Sequence, residues 1–189
     1  MSNSIDEFLI RDLLLQGAQI DSFGIGERLI TSRSAPVFGG VYKLVAVEDS
    51  AGRVIPKIKV SENVEKITTP HFKQVWRLTG EDGKYVADVL TLRDETIDAT
   101  QPYTIFDPTR TWRRKTLERF SARPMQVPLF KNGVCVHKKR DVHEIRDFCL
   151  ARVSEVWSEV LRFENPHPYY VDLSQDLWEI KNGLLEQYE

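Results

Sequence analysis

The stretch that most constrains the fold is the opening, "MSNSIDEFLIRDLLLQGAQIDSFGIGERLIT" (1–31). Over 5–15, Ile5, Phe8, Leu9 and Leu13 recur at helical spacing on one face, with Leu14 at its margin. Asp6, Glu7, Arg11 and Asp12 fall mostly on the other face. Ser2, Asn3 and Ser4 are good helix-capping residues, and Asn3 is the expected cap. The acidic first turn suits the helix dipole, and Gly17 is a fitting stop. "AQIDSF" (18–23) then reads as a short strand, and "GIGERL" (24–29) as a glycine turn that opens another element. Helix, strand and glycine turn in succession are a piece of an alternating α/β fold. A strand-to-turn junction of this kind lets backbone N–H groups approach an anion. No strand stands in front of the first helix. Two readings fit that: the chain is a C-terminal piece of a larger one, or the helix simply begins the domain.

Beyond residue 39 the pattern changes. "GGVYKLVAVE" (39–48) and "RVIPKIKV" (53–60) read as strands about the turn "DSAG", with Pro56 placing the second near an edge. "KQVWRLTGEDGKYVADVLTL" (73–92) reads as a hairpin around Gly80 and Gly83. Residues 93–125 have no clear period and carry the basic run "RTWRRKTLERFSAR" (110–123). "VPLFKNGVCVH" (127–137) is a hairpin turning at Asn132-Gly133. A long helix is expected over 141–163, with Val142, Ile145, Phe148, Cys149, Val153, Val156, Trp157, Val160 and Leu161 on its buried side. Asp141 and Glu144 resemble a capping box at its start. Ser174 can cap a last helix ending near Leu185. The expected fold class is therefore α/β. A barrel-like fragment (1–45) is followed by an antiparallel β region with C-terminal helices (46–189).

A chain of 189 residues with 41% apolar content has room for about one ordinary domain. A net charge of -2 gives no global basic field to attract nucleic acid or an anionic membrane. No apolar run is long enough to span a bilayer, and the opening residues lack the basic-then-apolar order of a signal peptide. Cys135 and Cys149 form neither a metal pattern nor a disulfide framework, so a reducing cytoplasm is the expected compartment. His71, His137, His143 and His167 are scattered, and no set of residues has metal spacing. Trp76, Trp157 and Trp178 are expected in the core.

Longer motifs narrow the reading. "SNSIDEF", "LLLQGAQIDSFGIGERLITS", "GGVYKLVAVE" and "PKIKVSENVEKIT" closely resemble nicotinate phosphoribosyltransferase. "TWRRKTL", "VPLFKNG" and "NPHPYYVDLSQDLWEIKNGLL" resemble that family's C-terminal region. The resemblance runs from Ser2 almost to the end of the chain and covers the second half of the family's enzyme. It implies a reaction: nicotinate and phosphoribosyl pyrophosphate give nicotinate mononucleotide in NAD salvage, with ATP hydrolysis driving the equilibrium. It also implies an irregular (β/α) barrel joined to an α/β sandwich built from both ends of the chain, and active sites formed between subunits of a dimer. The family's phosphorylated histidine, its nicotinate-stacking aromatic residue and its barrel carboxylate lie in upstream segments that do not occur in these 189 residues. No catalytic residue is therefore assigned.

What the resemblance does carry over is the hold on the phosphoribosyl group. Ser2 and Asn3 match a loop that meets the ribose hydroxyls and phosphate. Gly24, Gly26 and the backbone N–H of Glu27 match the 5′-phosphate turn, where the commoner family residue at position 27 is Thr. A carboxylate beside a phosphate is unfavourable, so Glu27 is expected to turn its side chain away. Arg33 and Lys43 are candidate phosphate contacts or simply solvated side chains. The basic run corresponds to a structural linker, so nucleic acid is not an expected partner. Magnesium would arrive with phosphoribosyl pyrophosphate or with ATP as co-substrate, and neither is expected to bind this chain alone. The expected protein partner is an upstream half or a second subunit of a homodimer. A non-catalytic remnant or binding module remains the alternative.

Overall fold

Asp6, and not Asn3, caps the first helix. Its backbone is extended and its carboxylate accepts the Leu9 N–H at 2.9 Å, opening α1 (Glu7–Leu15). Asn3 and Ser4 instead turn through positive φ, 92° and 49°. Asn visits that region more readily than most residues, and the turn it makes moves the cap downstream. Gly17, at φ 81°, ends the helix. Its N–H donates to the Leu14 carbonyl and the Ala18 N–H to that of Leu13, both at 3.0 Å, which is a Schellman closure.

The computed structural model describes residues 1–37 and 39–188. They divide into two compact units, Met1–Tyr42 and Lys43–Glu189. In the first unit the strand expected over 18–23 is reduced to one parallel bridge, Ser2 with Gly24. The Gly24 N–H donates to the Met1 carbonyl at 2.7 Å, and the Met1 ammonium to the Ser22 carbonyl at 2.9 Å. A short helix, α2 (Glu27–Ile30), follows the glycine turn.

In the second unit β1 (Ala46–Glu48) and β2 (Val54–Pro56) pair antiparallel. Both are shorter than the runs expected over 39–48 and 53–60. Their turn is closed by Asp49, whose carboxylate accepts the Ala51 and Arg53 N–H groups at 2.9 Å. The hairpin of β3 (Lys73–Gly80) and β4 (Tyr85–Leu92) forms where the sequence places it, with Gly83 at φ 74° in its turn.

Residues 93–125 are not irregular throughout. They contain β5 (Tyr103–Phe106), β6 (Arg114–Leu117) and β7 (Phe120–Pro124). In β6 only Leu117 is buried, so its polar, solvent-facing residues carry no apolar alternation. β8 (Phe130–Lys131) and β9 (Val134–Cys135) form the expected hairpin. Asn132 and Gly133 turn at φ 50° and 77°, the pair of positive angles that a two-residue type I′ turn needs.

α3 (Val142–Ser154) has the capping box read from Asp141 and Glu144, but it ends nine residues before the expected 163. Its apolar side is also not buried. Val142, Ile145, Phe148 and Val153 are exposed, as is Leu150. Helical periodicity shows that a face is apolar; it does not supply a layer to cover it. β10 (Val171–Leu173) and α4 (Gln175–Leu185), capped by Ser174, complete the unit.

The principal sheet has the order β10-β4-β3-β7. It is mixed rather than purely antiparallel, because β10 joins β4 in parallel with Asp172 opposite Val89. Leu78, Ala87 and Val89 of this sheet pack with Ile97, Ile105 and Leu117 to form the core. Trp76 lies against that cluster, whereas Trp157 remains 38% exposed and is not a core residue. Trp178 is anchored by its indole N–H on the Pro108 carbonyl at 3.0 Å. A polar clamp ties the sheet to the segment before β10. Arg77 grips Asp88 with two hydrogen bonds of 2.8 Å, and the Tyr169 hydroxyl donates to the same carboxylate at 3.0 Å. The Asp88 contact raises the Arg77 pKa further, and burial followed by the Asp88 charge raises that of the Tyr169 phenol.

Candidate functional site

The bridge between Ser2 and Gly24 brings the two loops singled out from the sequence side by side. Each loop leaves a short parallel-paired stub and runs into a helix: Ser2 to Asp6 into α1, and Gly24 to Gly26 into α2. Loops that leave neighbouring parallel strands and open helices can bring backbone N–H groups together around an anion. Gly24 makes the close approach possible. A β-carbon there would lie 3.3 Å from the Ser2 β-carbon, tighter than ordinary contact.

Gly26 stands differently. A β-carbon at this position meets nothing within 4 Å, so space in the described chain does not itself exclude a side chain here. Glu27 is the first residue of α2, and its side chain is exposed. Asn3 is exposed and held in its positive-φ turn. Arg33 follows α2 on the surface of the same unit. Lys43 belongs to the second unit and is not part of the body that carries the two loops.

Sequence reading did not find the tie between the loops. One Asp6 carboxylate oxygen caps α1, and the other pairs with the guanidinium of Arg28 from α2. Both side chains are partly buried. Arg28 therefore directs its charge at Asp6 and not outward at a ligand. The only sequence signal for this pair was the acidic first turn, which reads equally well as a dipole interaction.

Chemically, the arrangement is suited to holding. It offers the Asn3 amide, the hydroxyls of Ser2 and Ser4, and the N–H groups at the start of α2. Residues 1–42 contain no histidine or cysteine, and their loops carry hydroxyl, amide and backbone N–H donors. Among the described residues no group of three or more His, Cys, Asp or Glu could hold a metal ion. No helix among them is long and apolar enough to cross a membrane.

The family model for the "Nicotinate phosphoribosyltransferase C-terminal domain" matches residues 72–181. The nicotinate phosphoribosyltransferase of Bacillus subtilis is 34% identical over 197 residues, covering 100% of this chain and 40% of that protein. The human nicotinate phosphoribosyltransferase is 32% identical over 189 residues, covering 97% of this chain and 33% of its own length. The crystal structure of human nicotinic acid phosphoribosyltransferase superimposes with a TM-score of 0.71 at 25% identity, covering 97% of this chain and 32% of that one. The chain thus spans between a third and two-fifths of the length of these relatives.

Proposed function

The chain belongs to the nicotinate phosphoribosyltransferase family, and on that premise we propose that it supplies the phosphoribosyl-holding rim and the C-terminal domain of such an enzyme. The complete enzyme joins nicotinate to phosphoribosyl pyrophosphate, with ATP hydrolysis driving formation of nicotinate mononucleotide. The observation that carries this reading is the Ser2–Gly24 bridge, which sets the loops at Asn3 and Gly26 next to each other. Parallel stubs that feed helices through such loops also fit the rim of a (β/α) barrel, whose ligands bind at the carboxyl ends of strands.

In this reading Ser2 and Asn3 meet the ribose hydroxyls. The backbone at Gly24, Gly26 and Glu27 meets the 5′-phosphate, with Arg33 of the same unit as an outer counter-charge. Magnesium enters bound to phosphoribosyl pyrophosphate or ATP. The nicotinate and the group phosphorylated by ATP are held by the remaining part of the enzyme, on an upstream half or a dimer partner. The isolated chain is inactive, because catalysis requires the pyridine nitrogen to be positioned against the anomeric carbon. A cytoplasmic setting suits these substrates.

The test is nicotinate mononucleotide synthesis by the chain alone and by the chain fused behind the upstream half of a relative. The fusion should be active and the chain alone silent; product from the pure chain overturns the inactivity. Gly26→Val in the fusion sharpens the assignment. Since the described chain leaves that position open, the variant should fold, and it should weaken phosphoribosyl pyrophosphate far more than nicotinate. The reverse pattern would remove the turn from the phosphate site.

A further inference from the structure

A second site lies wholly within Lys43–Glu189, away in sequence from the two loops. A cavity of about 480 Å³ is lined by Asp172 together with Trp112, Trp157, Arg113, Arg114 and Lys115, a volume in the usual range for small-molecule pockets. Asp172 is 4% exposed. It sits in register with Val89 on the core face of the sheet. Among the described residues nothing donates a hydrogen bond to its carboxylate. Its acidic neighbour Asp107 is, by contrast, saturated: the Thr109 hydroxyl donates to it at 2.7 Å and the Arg110 guanidinium at 2.8 Å. Its oxygens are not among the fully buried unpartnered atoms of the described residues, so they open on the cavity, where a ligand with N–H donors would take the place of water. Burial, with the Asp107 charge second, pushes the Asp172 pKa up to about 6.

The opening of the cavity has the opposite character. Arg113, Arg114 and Lys115 are exposed. Lys115 stands over the Trp157 ring at 5.7 Å, and Trp112 leaves 77% of its surface uncovered. An acidic floor, indole walls and a basic mouth ask for a flat molecule with N–H donors at one end and an anion at the other. A phosphorylated nucleobase has that form. Guanine presents a fork of N1–H and N2–H donors to two carboxylate oxygens. Adenine offers one N–H beside a ring nitrogen whose lone pair would face the carboxylate.

We propose that this cavity binds a guanine mononucleotide, with the base donating to Asp172, the indoles of Trp112 and Trp157 against its faces, and the phosphate held by Arg113, Arg114 and Lys115. The experiment is calorimetric titration of the full 189-residue chain at low salt, with tryptophan fluorescence recorded in parallel. GMP should bind saturably and on the order of tenfold or more tighter than AMP, as expected for a bidentate base contact. Guanosine should bind more weakly than GMP and without its salt dependence. Asp172→Asn should weaken GMP and favour XMP, because the new amide can donate to the C2 oxygen of xanthine. Lys115→Ala and Trp112→Ala, both at exposed positions, should weaken GMP with the fold intact. The proposal is overturned by no saturable GMP signal at millimolar concentration, by equal affinity for GMP and AMP, or by Asp172→Asn keeping the original preference. If Asp172→Asn does not fold, unchanged GMP affinity in both surface variants overturns it equally.

Discussion

The loop-bearing unit and the main sheet are held in different ways. Among the described residues of Met1–Tyr42, Ile5 is the single buried apolar side chain. The order there comes from polar ties: the Asp6 cap, its ion pair with Arg28 and the bridge of Ser2 to Gly24. The sheet of the second unit closes over Leu78, Ala87, Val89, Ile105 and Leu117, each nearly inaccessible to solvent. Buried apolar area scales into several kcal/mol, whereas a cap or a partly exposed ion pair contributes about one. A region that has to present open backbone donors cannot also cover them with a core, so its stability is lower where its candidate function lies.

Breaking the sheet should have the largest effect. Leu78 is wholly buried at the centre of the cluster, so Leu78→Ala should destabilise the second unit by about 2–5 kcal/mol. Urea unfolding gives the value. Hydrogen exchange then tests the contrast, because amides of β3 and β4 should lose protection while those of α1 keep theirs. If α1 loses protection in step, the two regions share one cooperative unit.

The next effect depends on pH. Burial, then the Asp107 charge, raises the Asp172 pKa from 3.8 to about 6. Between those values the folded state holds a proton that the unfolded state has released. Stability from this group is therefore fully present below pH 4 and is lost as pH rises through 6. The loss is on the order of 2–3 kcal/mol at most, and less where cavity water reaches the carboxylate. Asp172→Asn should remove this slope, so its stability relative to the parent should rise between pH 4 and 7. An unchanged slope would mean that the carboxylate is solvated, and that the sheet hides no polar cost on its core face.

Smaller effects belong to the loops. Asp6→Ala removes both a cap and the partner of Arg28, and should cost about 1–2 kcal/mol. The cost should be confined to exchange in α1. Spread into β3 and β4 would contradict the view that polar ties act locally. A smaller effect is expected at Asn3, where φ is 92°. Asn3→Gly keeps that conformation without strain. In the fused enzyme it should weaken phosphoribosyl pyrophosphate by only about 0.5–1.5 kcal/mol, the worth of neutral hydrogen bonds. Glu27→Thr should leave affinity unchanged if, as proposed, position 27 contributes only its backbone.

Much of the local structure was legible in the residues. The β3–β4 hairpin, the Asn132-Gly133 turn, the capping box at Asp141 and the Ser174 cap all formed where read. Each depends on chemistry within a few residues. The two candidate loops were singled out through their glycines and the family motifs around them, and the structure adds the Ser2–Gly24 bridge that sets them side by side. The tie between Asp6 and Arg28 was not, because it joins residues twenty-two apart through side chains that each have an ordinary local explanation. β6 was hidden by its own exposure, since a strand with one buried side chain shows no alternation. The end of α3 at Ser154 was hidden by apolar spacing that continues past the point where the helix stops.

Taken alone, the sequence determined the family, the turns, the caps and the presence of a mixed α/β chain, because these follow from motif order and from φ preferences over short spans. Only the tertiary structure decided which strand lies beside which and what each apolar face meets. The parallel pairing of β10 with β4 joins residues about eighty apart, and no local preference encodes it. That pairing carries Asp172 onto the core face, beside a basic rim contributed by β6. A side chain that reads in the sequence as one acid between two apolar residues becomes, by long-range packing, a carboxylate without a protein donor in the wall of a cavity.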